Sequence, residues 1–357
     1  MVKVSVVVPV YNVEEFLGEC LDSLTNQTLT DIEIICVNDG SKDRSLDILN
    51  EYASNDERIT VIDQENGGHA VATNNGMKLA KGKYLFLMDS DDILDLEALE
   101  KTYNLAEEKS VDFVIFQAIN YYMDKDELIE EENYSMNRLA DYVGDSVFSY
   151  RDIRDYVFEI TVTPWSKLYR RDFIEKNNIT FPEGLVFDDN VFFWDVLFAA
   201  ERITFLKEHL FKRRWYPTSS TRVGDLRFLN YIDICNLIWD VFYRYGEFDY
   251  YRKELFTKKV GTIYYWYKNI KDEFKPEFFF AMKSDYLKIT QDEKFLKYFI
   301  KNLDKRQKNI FESAVEAETR EEFDLMIENY ELERENEHLK ELLDRPIHKL
   351  AISKIRR

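Results

Sequence analysis

Residues 83–92 read KYLFLMDSDD: five apolar residues behind Lys83, then Asp89-Ser90-Asp91-Asp92. A short apolar run of this kind suits a strand covered on both faces. Moving outward, Lys3–Val10 (KVSVVVPV), Ile32–Val37 (IEIICV), Ile59–Ile62 (ITVI) and Val111–Phe116 (VDFVIF) have the same character. Between these runs, Glu14–Thr25, Arg44–Ala53, Ala70–Ala80 and Leu96–Lys109 have helical periodicity; Phe16, Cys20, Leu21 and Leu24 share one face of the first. Ser41 and Asp43 are candidate caps for the second helix. Strands alternating with helices predict right-handed βαβ units and a mostly parallel sheet flanked by helices. Ligands of such sheets bind beyond the carboxyl ends of the strands. Three polar segments lie there: Pro9-Val10-Tyr11-Asn12, Asn38-Asp39-Gly40-Ser41 and Asp89-Ser90-Asp91-Asp92.

The chain has 357 residues, 45% hydrophobic and 32% charged, the composition of a globular protein. Its 48 basic and 68 acidic side chains give a net charge of −20, which argues against a nucleic-acid partner. The acid is unevenly spread: residues 1–120 carry 9 basic and 23 acidic side chains. No stretch reaches the ~18 apolar residues of a membrane span. Cys20, Cys36 and Cys235 form neither a CxxC nor an even set, so buried thiols in a reducing cytoplasm are expected.

Alternate residues of an extended chain face the same way, so Asp89 and Asp91 can address one ligand. Their hard oxygens suit Mg²⁺ or Mn²⁺, ions usually shared with substrate phosphates. GxGxxG after the first strand and GxxxxGK[ST] are both absent, which disfavours a nicotinamide dehydrogenase and a P-loop NTPase. The segments VSVVVPVYNVEEFLGECLDSLTNQT, IEIICVNDGSKDRSLDIL, NGGHAVATNNGMKLAKGKYLFLMDSDD, PWSKLYRRDFI and EGLVFDDNVFF together resemble a family 2 glycosyltransferase with the GT-A fold, over about residues 1–225.

That resemblance implies roles. Pro9 and Tyr11 would line the base pocket, with Tyr11 stacking on uracil, and Asp39 would hydrogen-bond the base. Asn66 and Gly67 belong to a loop that closes on the nucleotide. Asp89 and Ser90 would lie against the nucleotide, with Asp91 and Asp89 on a Mn²⁺ or Mg²⁺ cofactor. Asp189 would be the general base, and Asp188 would orient it or support the acceptor pocket. Trp165 would stack on an acceptor sugar, and Lys167 would pair with a phosphate or with Asp188. Lys212-Arg213-Arg214 and Ser219-Ser220 resemble a segment near the diphosphate. Thr73 stands where the family often carries an arginine that helps hold the nucleotide. His69, beside the glycine pair, could approach the metal, but reads first as a surface-loop residue.

The resulting expectation is a metal-dependent inverting transferase that moves a sugar from a nucleotide-diphospho-sugar, a UDP-sugar first. Its acceptor would be a hydroxyl of a glycan, polyol-phosphate or lipid-linked molecule. The alternative is a non-catalytic nucleotide-sugar-binding or scaffold protein that keeps the fold; the joint retention of Asp39, Asp89, Asp91 and Asp189 argues against it. The expected organisation is a transferase domain at 1–225, with a nucleotide-binding half at 1–118 and an acceptor-binding half at 119–225. A helical accessory domain at 226–317, a polar helix at 318–344 and a basic tail at 345–357 follow. In the polar helix Leu325, Leu332 and Leu339 repeat at seven, with Asn329 and Asn336 between, a pattern open to a homodimeric coiled coil or a solvated helix. The tail has five positive charges and no acid, which suits peripheral contact with the inner face of a membrane.

Overall fold

The computed structural model describes residues 1–216 and 224–343. In it the first four apolar runs become β1 (Val4–Val10), β2 (Ile32–Asp39), β3 (Ile59–Gln64) and β4 (Tyr84–Leu87). The helices that alternate with them are α1 (Glu14–Thr25), α2 (Ser45–Asn55), α3 (His69–Leu79) and α4 (Ala98–Lys109). β1 lies between β2 and β4, parallel to both, and β3 is parallel to β2. Every residue of β1 except Pro9 is buried, as expected of a central strand with both faces covered. Helix α3 comes close to β1 through Gly76, where an added Cβ would stand 2.4 Å from Val7 Cγ1.

Beyond α4 the sheet becomes mixed. β8 (Lys167–Arg170) runs antiparallel between β4 and β6 (Phe113–Tyr122). β9 (Ile203–Trp215) is parallel to β6, with a shift of register at Gln117. The short β5 (Ile93–Leu94) pairs antiparallel with β9, and β7 (Glu127–Ile129) with β6. The strand order is β3-β2-β1-β4-β8-β6-β9-β5. The parallel strands β1 to β4 lie within the region where strand and helix patterns alternate in the sequence.

The chain divides into two compact units, Met1–Val223 with Asn236–Tyr245, and Gly224–Cys235 with Gly246–Arg357. The second is helical, built from Phe248–Asn269, Lys275–Thr290, Glu293–Asn302, Lys305–Glu316 and Arg320–Leu343. Phe278, Phe279, Phe299, Phe311 and Phe323 form much of its core, and Lys259 and Asp285 make a fully buried ion pair at 2.7 Å. On the helix Arg320–Leu343, Phe323 and Ile327 are buried, whereas Leu325, Leu332 and Leu339 are exposed. The basic tail lies outside the described residues. Among those residues no helix is long and apolar enough to cross a membrane, and all three cysteines are buried free thiols.

Candidate active site

Parallel strands deliver their carboxyl ends to one rim, and there the loops are tied together by side chains. Asn12, in a left-handed conformation after β1, donates its backbone N–H to Ser41 Oγ at 3.1 Å and accepts on its own Oδ1 from Lys42 N at 2.7 Å. Asp43 accepts from Glu14 N and Ser45 N. Of the two expected caps, Asp43 thus reaches the start of α2, while Ser41 fastens one loop to the other. Tyr11 is left with an exposed ring on this rim, next to the half-buried Pro9.

Asp39, the last residue of β2, is buried and holds the following glycine loop. Its Oδ1 accepts from Gln64 Nε2 and Gly67 N, both at 2.8 Å; its Oδ2 accepts from Asn66 Nδ2 at 3.0 Å and Gly68 N at 2.8 Å. Gly68 is at φ +89°, a conformation suited to glycine, and is the residue from which α3 starts.

One strand further on, β4 ends at the acidic turn. Carboxylate oxygens of Asp89, Asp91 and Asp92 lie within 4.8 Å of one another. Asp92 is buried and accepts from Arg214 N at 2.7 Å. Tyr216 donates its hydroxyl to Asp91 Oδ2 at 2.6 Å, and Arg214 spans Asp91 O and Glu19. Burial, then the charge of Asp91, pushes the Asp89 carboxyl up to about 6. Burial raises Asp92 well above the carboxylate range. Crowded carboxylates that resist shared ionisation are a donor set for a hard divalent cation, and these residues fit Mg²⁺ or Mn²⁺.

The second acidic pair stands where the helix Asp189–Ala199 begins, after Phe187 at φ +67°. Asp188 is buried, and its Oδ2 lies 2.9 Å from His69 Nδ1. Asp189 is half-buried and accepts on Oδ1 from Asn190 Nδ2 at 2.9 Å. Burial first, then the charge of Asp188, pushes the Asp189 carboxyl up to about 7; His69 and Asn190 act in the opposite direction. A half-exposed carboxyl poised near neutrality has the properties of a general base. The two halves of this unit are also pinned by Asn74, which exchanges hydrogen bonds with Phe181 N and O at 3.0 and 2.9 Å.

Comparison with known proteins gives the family and the fold. The family model described as "Glycosyl transferase family 2" matches residues 5–177. The glycosyltransferase GlyG of Streptococcus pneumoniae serotype 4 is 34% identical over 224 residues, 59% of this chain and 70% of that protein. The chain belongs to glycosyl transferase family 2. The glycosyltransferase EpsJ of Bacillus subtilis strain 168 is 36% identical over 221 residues, 62% of this chain and 63% of that one. A poly(ribitol-phosphate) beta-glucosyltransferase of Bacillus spizizenii is 36% identical over 209 residues, 57% of this chain and 30% of that protein. The match thus spans less than two thirds of these last two relatives. The crystal structure of S. aureus TarS 1–349 in complex with UDP-GlcNAc matches with TM-score 0.71 at 19% identity, covering 92% of both chains, and shows the shared GT-A fold.

Within this family 2 transferase the acceptor-side expectations need correction. Trp165 is buried, stacked on Phe211 at 4.3 Å, so its ring presents no face to a sugar. Lys167 is fully buried and donates to Thr161 O, Thr163 O and Ser166 Oγ, so its three N–H groups are spent on the chain itself. Asp188 pairs with His69 rather than with Lys167. Burial lowers Lys167 to about 7, against the charge of Asp189. Ser90 is half-buried within the acidic turn. Ser219 and Ser220 lie outside the described residues. The sequence reading missed Asp92, whose signal was its place in an unbroken DSDD, and Tyr216, which follows the basic segment that was noticed. His69, read as a surface-loop residue, is exposed, but it opens α3 and pairs with Asp188.

Proposed function

We propose that this transferase moves a sugar from a UDP-sugar to a hydroxyl of a polyol-phosphate or glycan acceptor, with inversion and with a divalent metal. The observation that carries the reading is the meeting of three acidic groups at one rim: Asp39 on the glycine loop, the Asp89-Asp91-Asp92 turn, and Asp189 across from them. UDP-GlcNAc in the TarS complex and poly(ribitol-phosphate) in the name of the Bacillus spizizenii relative support the donor and acceptor classes. Tyr11 offers an exposed ring for the base. Asp89 and Asp91 would hold the metal, which when bound neutralises the diphosphate. The acceptor hydroxyl gives its proton to Asp189 while its oxygen attacks the anomeric carbon. The bond from that carbon to the diphosphate oxygen breaks, and the electron pair leaves with the nucleotide. A single displacement of this kind inverts the configuration.

The test is a panel of UDP-GlcNAc, UDP-glucose, UDP-galactose and GDP-mannose with Mn²⁺ or Mg²⁺, with and without poly(ribitol phosphate), read as nucleotide release. One UDP-sugar should turn over only with metal. Asp91→Ala should lose metal-dependent donor binding, and Asp189→Asn should bind donor yet transfer ~10²-fold slower or worse. Full transfer by Asp189→Asn would remove the base assignment.

A further inference from the structure

Where β9 runs out, the chain closes over the acidic turn that follows β4. Arg214 and Tyr216 stand two residues apart there, so their side chains share one face, while Trp215 between them packs on Tyr122 at 4.6 Å between centroids. Three hydrogen bonds cross to the turn over 122 to 125 residues of sequence. Arg214 N donates to Asp92 Oδ1 at 2.7 Å, the Arg214 guanidinium to Asp91 O at 2.6 Å, and the Tyr216 hydroxyl to Asp91 Oδ2 at 2.6 Å. Both side chains rest on one ring of α1. Phe16 lies 4.7 Å from the Tyr216 ring and 5.4 Å from the Arg214 guanidinium, which also donates to Glu19 on the same helix. Arg214 is buried and Tyr216 half-buried.

The two residues hold different parts of the turn. Arg214 ties down its backbone, through Asp91 O, and the neighbouring Asp92. Tyr216 alone of the two reaches the Asp91 carboxylate. That group turns about a broad, two-fold torsion, and a donor fixed on one oxygen selects a single orientation. An ionised carboxylate has about four acceptor positions, so the phenol takes one and leaves the other oxygen open. A phenol also brings no positive charge, so it can share a carboxylate with a cation without repelling it.

We propose that Tyr216 is a positioning residue for the divalent cation: by holding Asp91 Oδ2 it fixes the carboxylate before the metal arrives, without being a ligand itself. The inference rests on the reading of Asp89 and Asp91 as metal ligands. A carboxylate already in place gives up little torsional freedom on binding, which is the gain from preorganisation. Hydrogen-bond partners that orient a metal ligand typically account for 10–100-fold in metal affinity.

Tyr216→Phe isolates the hydroxyl, because the ring that packs on Phe16 stays and a single half-buried oxygen is removed. The full chain is titrated with Mn²⁺ alone, without nucleotide, by calorimetry and by electron paramagnetic resonance of the free ion. In Tyr216→Phe the Mn²⁺ Kd should rise about 10- to 100-fold. Melts of the metal-free proteins separate this from a purely structural role, which would lower Tm and leave the Kd of the folded protein where it was. The stabilisation that Mn²⁺ gives should therefore be smaller in Tyr216→Phe than in the wild type at the same ion concentration. An unchanged Kd would overturn the proposal. A tighter one would overturn it too, since the phenol would then be competing with the cation for Asp91. If the wild type takes up no Mn²⁺, or Asp91→Ala binds it as the wild type does, the metal reading fails and takes this inference with it. If Asp91→Ala loses Mn²⁺ while Tyr216→Phe matches the wild type, only this inference fails.

Discussion

Asp39 spends both of its oxygens on four donors, Gln64 at the end of β3 and three in the loop after it, two of them backbone N–H groups of consecutive glycines. Asp39→Asn turns one oxygen into an N–H₂ group that faces N–H donors. At ~1–3 kcal/mol for each buried group left unsatisfied, two such groups should lower stability by at least ~2 kcal/mol. The expected result is a clear drop in Tm together with weaker UDP binding by calorimetry; an unchanged Tm would mean that the carboxylate does not hold the loop. At this scale the sequence was legible where a residue's importance follows from its place after a strand. Asp39, Asp89 and Asp91 were singled out that way, and the structure brings them to one rim of the sheet. It was not legible where a partner comes from a distant segment: Asp188 for His69 is 119 residues away, and Arg214 for Asp92 is 122. The inward turn of Trp165 and Lys167 was hidden for the same reason, because PWSKLYR alone does not say which face of a four-residue strand looks inward.

For whole elements, the expected α1 agrees with the observed Glu14–Thr25 at both ends, and α2 and α3 agree to within two residues. Their apolar spacing is strong, and each is bracketed by an apolar strand. Where α3 crosses β1, the approach depends on Gly76. Gly76→Ala would drive a Cβ to 2.4 Å from Val7 Cγ1 and 3.3 Å from Val37 Cγ2, so helix and strand would have to part. Overpacking of this kind costs ~1–3 kcal/mol. A lower urea midpoint with an unchanged m-value is the expected reading, and because α3 begins at His69, donor affinity should fall with it. The antiparallel β8 could not be read from pattern. Four residues carry no period, and its neighbours β4 and β6 are decided by packing.

Across the molecule, the two units are built on different physics. The first derives its organisation from parallel strands and loop-to-loop hydrogen bonds. The second buries a cluster of aromatics together with the ion pair Lys259–Asp285. Lys259→Ala takes one cation away from the buried Asp285, at a cost of up to ~3–5 kcal/mol. Joint replacement by Met at 259 and Leu at 285 should recover most of that loss, since a well-packed apolar pair avoids the desolvation of two charges. Thermal melts of the single and double variants check both statements; a single variant as stable as the wild type would rule out a structural role for the pair. The aromatic richness of this region was plain in the sequence, but which helix faces meet was not, because Tyr, Phe and Trp lie on nearly every side of these helices.

The antiparallel insertion of β8 also sets an order of assembly. During synthesis β1 to β4 and their helices emerge first, yet the free edge of β4 is closed only when Lys167–Arg170 arrives, some eighty residues later. Until then Tyr84–Leu87, all four buried in the finished protein, offer an unpaired strand edge to any neighbour. A nascent chain stalled at residue 118 would hold Tyr11, Asp39, Asp89 and Asp91 and still be unable to hide that edge. Expressed alone, residues 1–118 should collect in aggregates, whereas a fragment of residues 1–245 should give a monodisperse peak on gel filtration. Residues 1–118, the proposed nucleotide-binding half, are thus a stretch that the ribosome cannot release as a finished piece.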